Sequence, residues 1–184
     1  MKKGDYIGTY TGKQFWPLDP RPEDVCLEDI AHALSQICRF NGHVEKYSSV
    51  ALHCLNVEMY LIQQEQDAMT KLYGLLHDAA EAYVGDMSRP MKICCPGFNE
   101  IEEGVQDAVY QHFGIPQPSA EIASIVKEAD DYVLALEARR FMKNTERWGL
   151  VETKGESYWY IKDKDLIEAV YMLRVEEMLK KINA

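Results

Sequence analysis

Apolar residues recur at helical rather than strand spacing along most of this chain. In 22–40, PEDVCLEDIAHALSQICRF, Val25, Ile30, Leu34 and Ile37 fall near a 3.6-residue period, and Pro22, Glu23 and Asp24 suit a first turn. That pattern predicts an amphipathic helix. In 47–65, YSSVALHCLNVEMYLIQQE, Val50, Leu52, Leu55, Val57 and Leu61 surround the axis, which predicts a buried helix capped by Ser48 or Ser49. Stretch 67–85, DAMTKLYGLLHDAAEAYVG, predicts a third helix ending around Gly85. Further helices are expected over 98–113, 119–144 and 163–182. Strand signals are weak: YIGTYTGKQFW at 6–16 and YWYIK at 158–162 could each supply one arm of a short hairpin. Neither an internal repeat nor a linker interrupts the pattern, so the expected fold is all-α, a compact helical bundle with a short β-hairpin.

Composition narrows the picture. With 184 residues, 47% of them apolar, the chain can bury one proper core, and a single domain over 1–184 is expected. No apolar run approaches the roughly 20 residues of a membrane span, and MKKGDYIGTY has no apolar leader segment; a cytoplasmic protein with no membrane partner is expected. Cys26, Cys38, Cys54, Cys94 and Cys95 form no CxxC pair, and most are expected to be reduced core thiols, the adjacent Cys94 and Cys95 being the oddity. A formal charge of -10 without a Lys/Arg block repels a polyanion, which excludes duplex nucleic acid as a partner. A small nucleotide held by a metal and a few local cations remains compatible with that charge.

The candidate chemistry begins at 74–92, GLLHDAAEAYVGDMSRPMK, where an apolar run leads into His77 and Asp78 side by side. Burying an imidazole and a carboxylate is costly without a partner, and a metal is one such partner. His53 lies mid-helix among Leu52, Leu55 and Val57, and Asp130 lies in IVKEADDYVLALEA, so three predicted helices each carry a ligand-type residue on an apolar face. Asp131 competes with Asp130, because neighbouring helical residues diverge by about 100° and periodicity does not choose between them. Two His and two Asp suit Co, Mn, Zn, Ni, Fe or Mg with positions left open for water and substrate. Glu81, four residues after His77 and three after Asp78, shares their helical face and is a candidate proton carrier. Asp86, just past Gly85, is placed to close the same cleft, and His43 is a candidate for its lining.

These residues carry a resemblance. His53, the pair His77-Asp78 and Asp130 follow the H...HD...D pattern of the HD-domain metal-dependent phosphohydrolases, and HDxxExxxGD at 77–86 makes the match specific. The stretch HDAAEAYVGDMSRPMK resembles YfbR-type 5'-deoxynucleotidases and the related phage DatZ-type deoxynucleotide triphosphohydrolases, and the likeness runs over 15–141. It implies an HD-domain fold, four metal ligands (His53, His77, Asp78, Asp130), Glu81 as catalytic acid/base and Asp86 as its partner. It also implies Arg39 as a phosphate-binding residue and Lys92 as the basic residue of the turn after the metal pair. Arg39 would offer a bidentate fork and Lys92 a compact charge. Phe40 stands where the nucleotidases carry Trp, and Leu52-His53-Cys54 replaces Glu-His-Ser, so base and sugar recognition would differ.

The activity so implied is metal-dependent hydrolysis at the 5'-phosphate of a (deoxy)nucleotide with release of the nucleoside, by a homo-oligomeric enzyme. A monophosphate would give orthophosphate and a triphosphate would give triphosphate, with the same catalytic parts. (p)ppGpp hydrolases resemble HDxxED at this position, whereas Ala82 follows Glu81 here. A non-catalytic nucleotide sensor would have no use for Glu81, Asp86, Arg39 and Lys92 together.

Overall fold

The computed structural model describes residues 3–153 and 158–184. The fold is mostly α, as expected: among the described residues there are eight α-helices and one two-stranded sheet. Helix α2 (Val50–Gln63) is the central element, buried along its first nine residues and packed on α1 (Leu27–Gln36), α3 (Ala68–Leu76), α7 (Ala120–Phe141) and α8 (Lys164–Ile182). Ser49 caps it, its hydroxyl accepting from the Leu52 amide at 3.2 Å. Asp67, Ser119 and Asp163 cap α3, α7 and α8 in the same manner. The main core joins α1, α2, α3, α6 (Pro96–His112) and α8 around Leu34, Leu52, Leu72, Val109 and Tyr171, while Val57, Leu61, Ala129 and Val133 pack α2 on α7 separately. No helix among the described residues is long and apolar enough to cross a membrane.

The structure departs from the periodic pattern where tertiary partners take over backbone groups. The expected helix over 22–40 is divided: Pro22–Asp24 is a separate 3-10 turn, Cys26 is extended, and α1 stops at Gln36. Beyond it the Arg39 amide donates to the Ser48 carbonyl at 2.9 Å and Val50 donates to Ile37 at 3.2 Å, so the chain entering α2 claims groups that a longer α1 would need. Both hairpin arms come from 6–16, as β1 (Ile7–Gly8) antiparallel to β2 (Gln14–Phe15). The expected arm at 158–162 is not a strand; the buried Asn56 amide instead accepts from the Trp159 amide at 2.7 Å and donates to its carbonyl at 3.1 Å. Of the five cysteines only Cys54 is buried, because Cys26, Cys38 and Cys95 lie at helix ends or outside helices and Cys94 is on the exposed α5 (Arg89–Cys94).

The most consequential departure is in 67–85. Helix α3 ends at Leu76, and after a turn at 77–80 the short α4 (Glu81–Val84) continues to Gly85, whose φ of 83° closes it. Gln106 of α6 causes the break: its amide accepts from the Ala80 N–H at 3.0 Å and donates to the Leu76 carbonyl at 2.8 Å. Those two groups would bond each other in an uninterrupted helix, so the side chain stands inside the hydrogen-bond ladder. The segment tightens accordingly, with Ala79 bonding back to Leu76 and Glu81 to Asp78, each at 3.0 Å.

Candidate metal centre

The turn at 77–80, the first turn of α2 and the middle of α7 meet at one point. Ligand atoms of His53, His77 and Asp130 lie within 4.8 Å of one another. His53 is fully buried; its Nε2 lies 3.1 Å from Asp130 Oδ1 and its Nδ1 lies 3.0 Å from Glu137 Oε2. The Nδ1 of His77 donates to the Gly74 carbonyl at 2.9 Å, which turns Nε2 toward Asp78 Oδ2 at 3.2 Å and Asp130 Oδ1 at 3.9 Å. Despite that approach, His77 Nε2 is buried without a hydrogen-bond partner among the described residues. Three of the four predicted ligand residues therefore converge, and Asp78 borders them through His77. Asp130, not Asp131, faces them: its Oδ1 points at both imidazoles while its Oδ2 accepts from Lys127 at 3.3 Å, and Asp131 accepts from Lys127.

The donor set fits a divalent cation. With Nδ1 of each imidazole committed to an acceptor, two Nε2 lone pairs and two carboxylates face one another, and only positive charge reconciles them. Protons are the chain's own remedy. Burial and Arg39 push His53 down, yet Glu137 and Asp130 outweigh them and raise it; burial likewise opposes His77, which Asp78 and Cys54 hold well above the ordinary imidazole value. Burial alone would raise Asp78 and Asp130, but the neighbouring imidazoles hold Asp78 down at about 2 and Asp130 lower still. The alternative group of Cys54, His77 and Asp78 is the weaker one, since Cys54 Sγ lies 4.0 Å from the already occupied His77 Nδ1 and burial keeps the thiol protonated.

Beside this centre is a cleft of about 190 Å³ lined by His77, Asp78, Ala80, Glu81, Lys92, Glu102, Glu103 and Gln106. Glu81 is 5% exposed, and its Oε2 has no partner among the described residues. Burial, then Asp78 and Asp86, push Glu81 up to about 10, so it carries a proton near neutrality. Asp86 is half-buried and also raised, by burial first, despite Arg39 and Lys92 nearby. Lys92, on α5 rather than in a loop, binds Glu102 through both oxygens at 2.7 and 2.9 Å and lies 3.8 Å from Glu81 Oε1. Arg39 is buried with its Nε 2.8 Å from Glu137 Oε2 and its Nη1 3.8 Å from Asp78 Oδ2. Its guanidinium lies 5.5 Å from the centre of the Phe40 ring.

Phe40 and Asn41 are in left-handed conformations, φ 54° and 52°, a region that Asn tolerates but that costs about 1–2 kcal/mol for Phe40. His43 is exposed and lies outside the cleft lining. A larger groove of about 760 Å³ between α2 and α7 includes Tyr60, Tyr132, Lys127 and Asp131 but none of the converging residues. The smaller cavity, not the larger groove, is the one that His77, Asp78 and Glu81 line. Sequence reasoning passed over Glu137, Glu102 and Gln106. Glu137 had a signal, seven residues after Asp130 and so on the same face of α7, whereas Gln106 had none.

The fold and centre define a mostly helical protein with a partly buried His/Asp cluster where three chain segments cross. No protein-family model matches the chain. It is similar to the Uncharacterized protein YfdR of Escherichia coli, 35% identical over 134 residues that cover 73% of this chain and 71% of YfdR. The Uncharacterized protein RCAP_rcc00048 of Rhodobacter capsulatus is 36% identical over 136 residues, 71% of this chain and 69% of that protein. The chain belongs to the family of these proteins, whose names state no activity.

Proposed function

We propose that this protein is an HD-type metal-dependent phosphohydrolase that cleaves the 5'-phosphate from deoxynucleotides and releases the nucleoside. The observation that carries this reading is the convergence of His53, His77 and Asp130 beside a buried Glu81 whose Oε2 has no partner among the described residues. His53, His77, Asp78 and Asp130 would hold the divalent cation, which supplies Lewis acidity to a phosphoryl oxygen and lowers the pKa of a water. Glu81 holds its proton at a carboxyl with one unpartnered oxygen in the cleft, the form needed to protonate a departing 5'-oxygen. Arg39 and Lys92 neutralise phosphate oxygens, and Asp86 orients groups entering beside Glu81.

Charge favours a single phosphate. Arg39 and Lys92 are each already paired with a carboxylate, and Glu102 and Glu103 also line the cleft, which opposes the longer anion of a triphosphate. The test is chromatography of the products from dAMP and dATP with several divalent metals, alongside assays for orthophosphate and triphosphate. Deoxyadenosine with orthophosphate from dAMP is expected. Deoxyadenosine with triphosphate from dATP would assign the triphosphohydrolase activity instead. If dAMP accumulates from dATP and no nucleoside forms from any substrate, attack at the 5'-phosphorus is wrong.

A further inference from the structure

Glu137 is 0% exposed and uses both of its oxygens. Oε2 accepts from Arg39 Nε at 2.8 Å and from His53 Nδ1 at 3.0 Å, while Oε1 accepts from the Tyr158 hydroxyl at 2.9 Å. Seven residues make nearly two helical turns, so one face of α7 sends Glu137 to Nδ1 and Asp130 to Nε2 of the same imidazole. We propose that Glu137 is the positioning residue of the centre. By accepting the Nδ1 proton of His53 it directs the Nε2 lone pair at the cation, and with the same oxygen it fixes Arg39 beside Asp78.

The argument turns on what a carboxylate can do. Ionised, it accepts hydrogen bonds and donates none, so its contact with Nδ1 admits only the form of the ring that carries a proton there. Arg39 Nε, 2.8 Å from the same oxygen, gives Glu137 the charged partner that a buried carboxylate needs. A carboxylate behind a ligating imidazole fixes the tautomer and raises the basicity of the ligand nitrogen; its loss typically weakens metal binding by about 10- to 100-fold. A purely structural Glu137 would need only Arg39 and Tyr158. The contact with Nδ1 ties it to the centre.

This inference rests on the cation-holding part of the proposed function and is independent of which bond is cleaved. The experiment is imidazole ¹⁵N NMR of zinc-loaded protein, with zinc affinity measured by chelator competition and folding by circular dichroism. Wild type should show His53 protonated on Nδ1 and ligated through Nε2. Glu137→Gln, which offers one acceptor to two donors and adds a donor of its own, should shift or lose that Nδ1–H signal and weaken zinc by about 10- to 100-fold. Tyr158→Phe frees one oxygen of Glu137 without touching His53 and should leave affinity unchanged. Equal zinc affinity in wild type and folded Glu137→Gln would overturn the positioning role while leaving the metal reading intact, and absence of zinc binding by wild type would sink both. Should Glu137→Gln fail to fold, the wild-type spectrum decides: zinc on Nδ1 overturns the proposal, and zinc on Nε2 with a strongly hydrogen-bonded Nδ1–H supports it.

Discussion

A buried carboxylic acid that stays protonated at neutral pH makes the metal-free protein lose stability as pH rises, and Glu81→Gln should remove that loss. Burial, with Asp78 and Asp86, raises Glu81 from 4.5 to about 10, so above about pH 4.5 the unfolded chain releases a proton that the folded chain keeps. Stability therefore falls by about 1.4 kcal/mol for each pH unit in that window. Between about pH 5 and pH 8 the ceiling is roughly 4 kcal/mol, equivalent to about 8–16 °C in Tm for a chain of this size. His53 and His77, both raised, contribute stability that is present below their unfolded value of 6.5 and lost as pH rises through their folded values. Their effect has the same sign but is common to both proteins. Asp78 and Asp130, both lowered, contribute stability that is complete above about pH 4 and flat across this range. The assay is thermal unfolding with chelator present, at about pH 5 and pH 8. The Tm advantage of Glu81→Gln over wild type should be small at the lower pH and widen by several degrees at the higher. An advantage that stays constant across the range refutes the reasoning. The same substitution cannot carry the proton, so turnover of the metal-loaded protein should fall by about 10²- to 10⁴-fold with metal content retained.

Two further outcomes follow from the geometry. Asp130→Ala removes the carboxylate that faces both imidazoles and should abolish stoichiometric metal by elemental analysis, whereas Asp131→Ala, which loses only the contact with Lys127, should keep it. Gln106→Leu removes the amide that separates Ala80 from Leu76 and allows the ordinary helical bond to form between them. Turnover and metal affinity should then drop together while Tm changes by less than the roughly 2–12 °C expected from leaving one buried backbone group unsatisfied, a loss of about 1–3 kcal/mol; unchanged metal affinity would show that the turn at 77–80 forms without Gln106.

Local spacing was enough to locate the long helices, though not the breaks at 25–26 and 77–80 or the short α5. The 3.6-residue period of Val50 to Leu61, the caps at Ser49, Asp67, Ser119 and Asp163, and Gly85 at positive φ are interactions within a few residues, so they are legible in one dimension. His53, His77, Asp78 and Asp130 were legible as candidates because polar residues inside apolar runs need partners. Their convergence was not. Whether Asp130 or Asp131 faces His53 depends on the rotation of α7 against α2, set by Val57, Leu61, Ala129 and Val133. The turn that brings Asp78 and Glu81 into register exists because Gln106, 26 residues beyond Ala80, enters the ladder. The second hairpin arm at 158–162 gave way to Asn56, more than one hundred residues earlier in the chain. In each case the local preference was the weaker force: a buried hydrogen bond to a distant side chain replaces one along the chain at little net cost, so packing between helices chooses which is made.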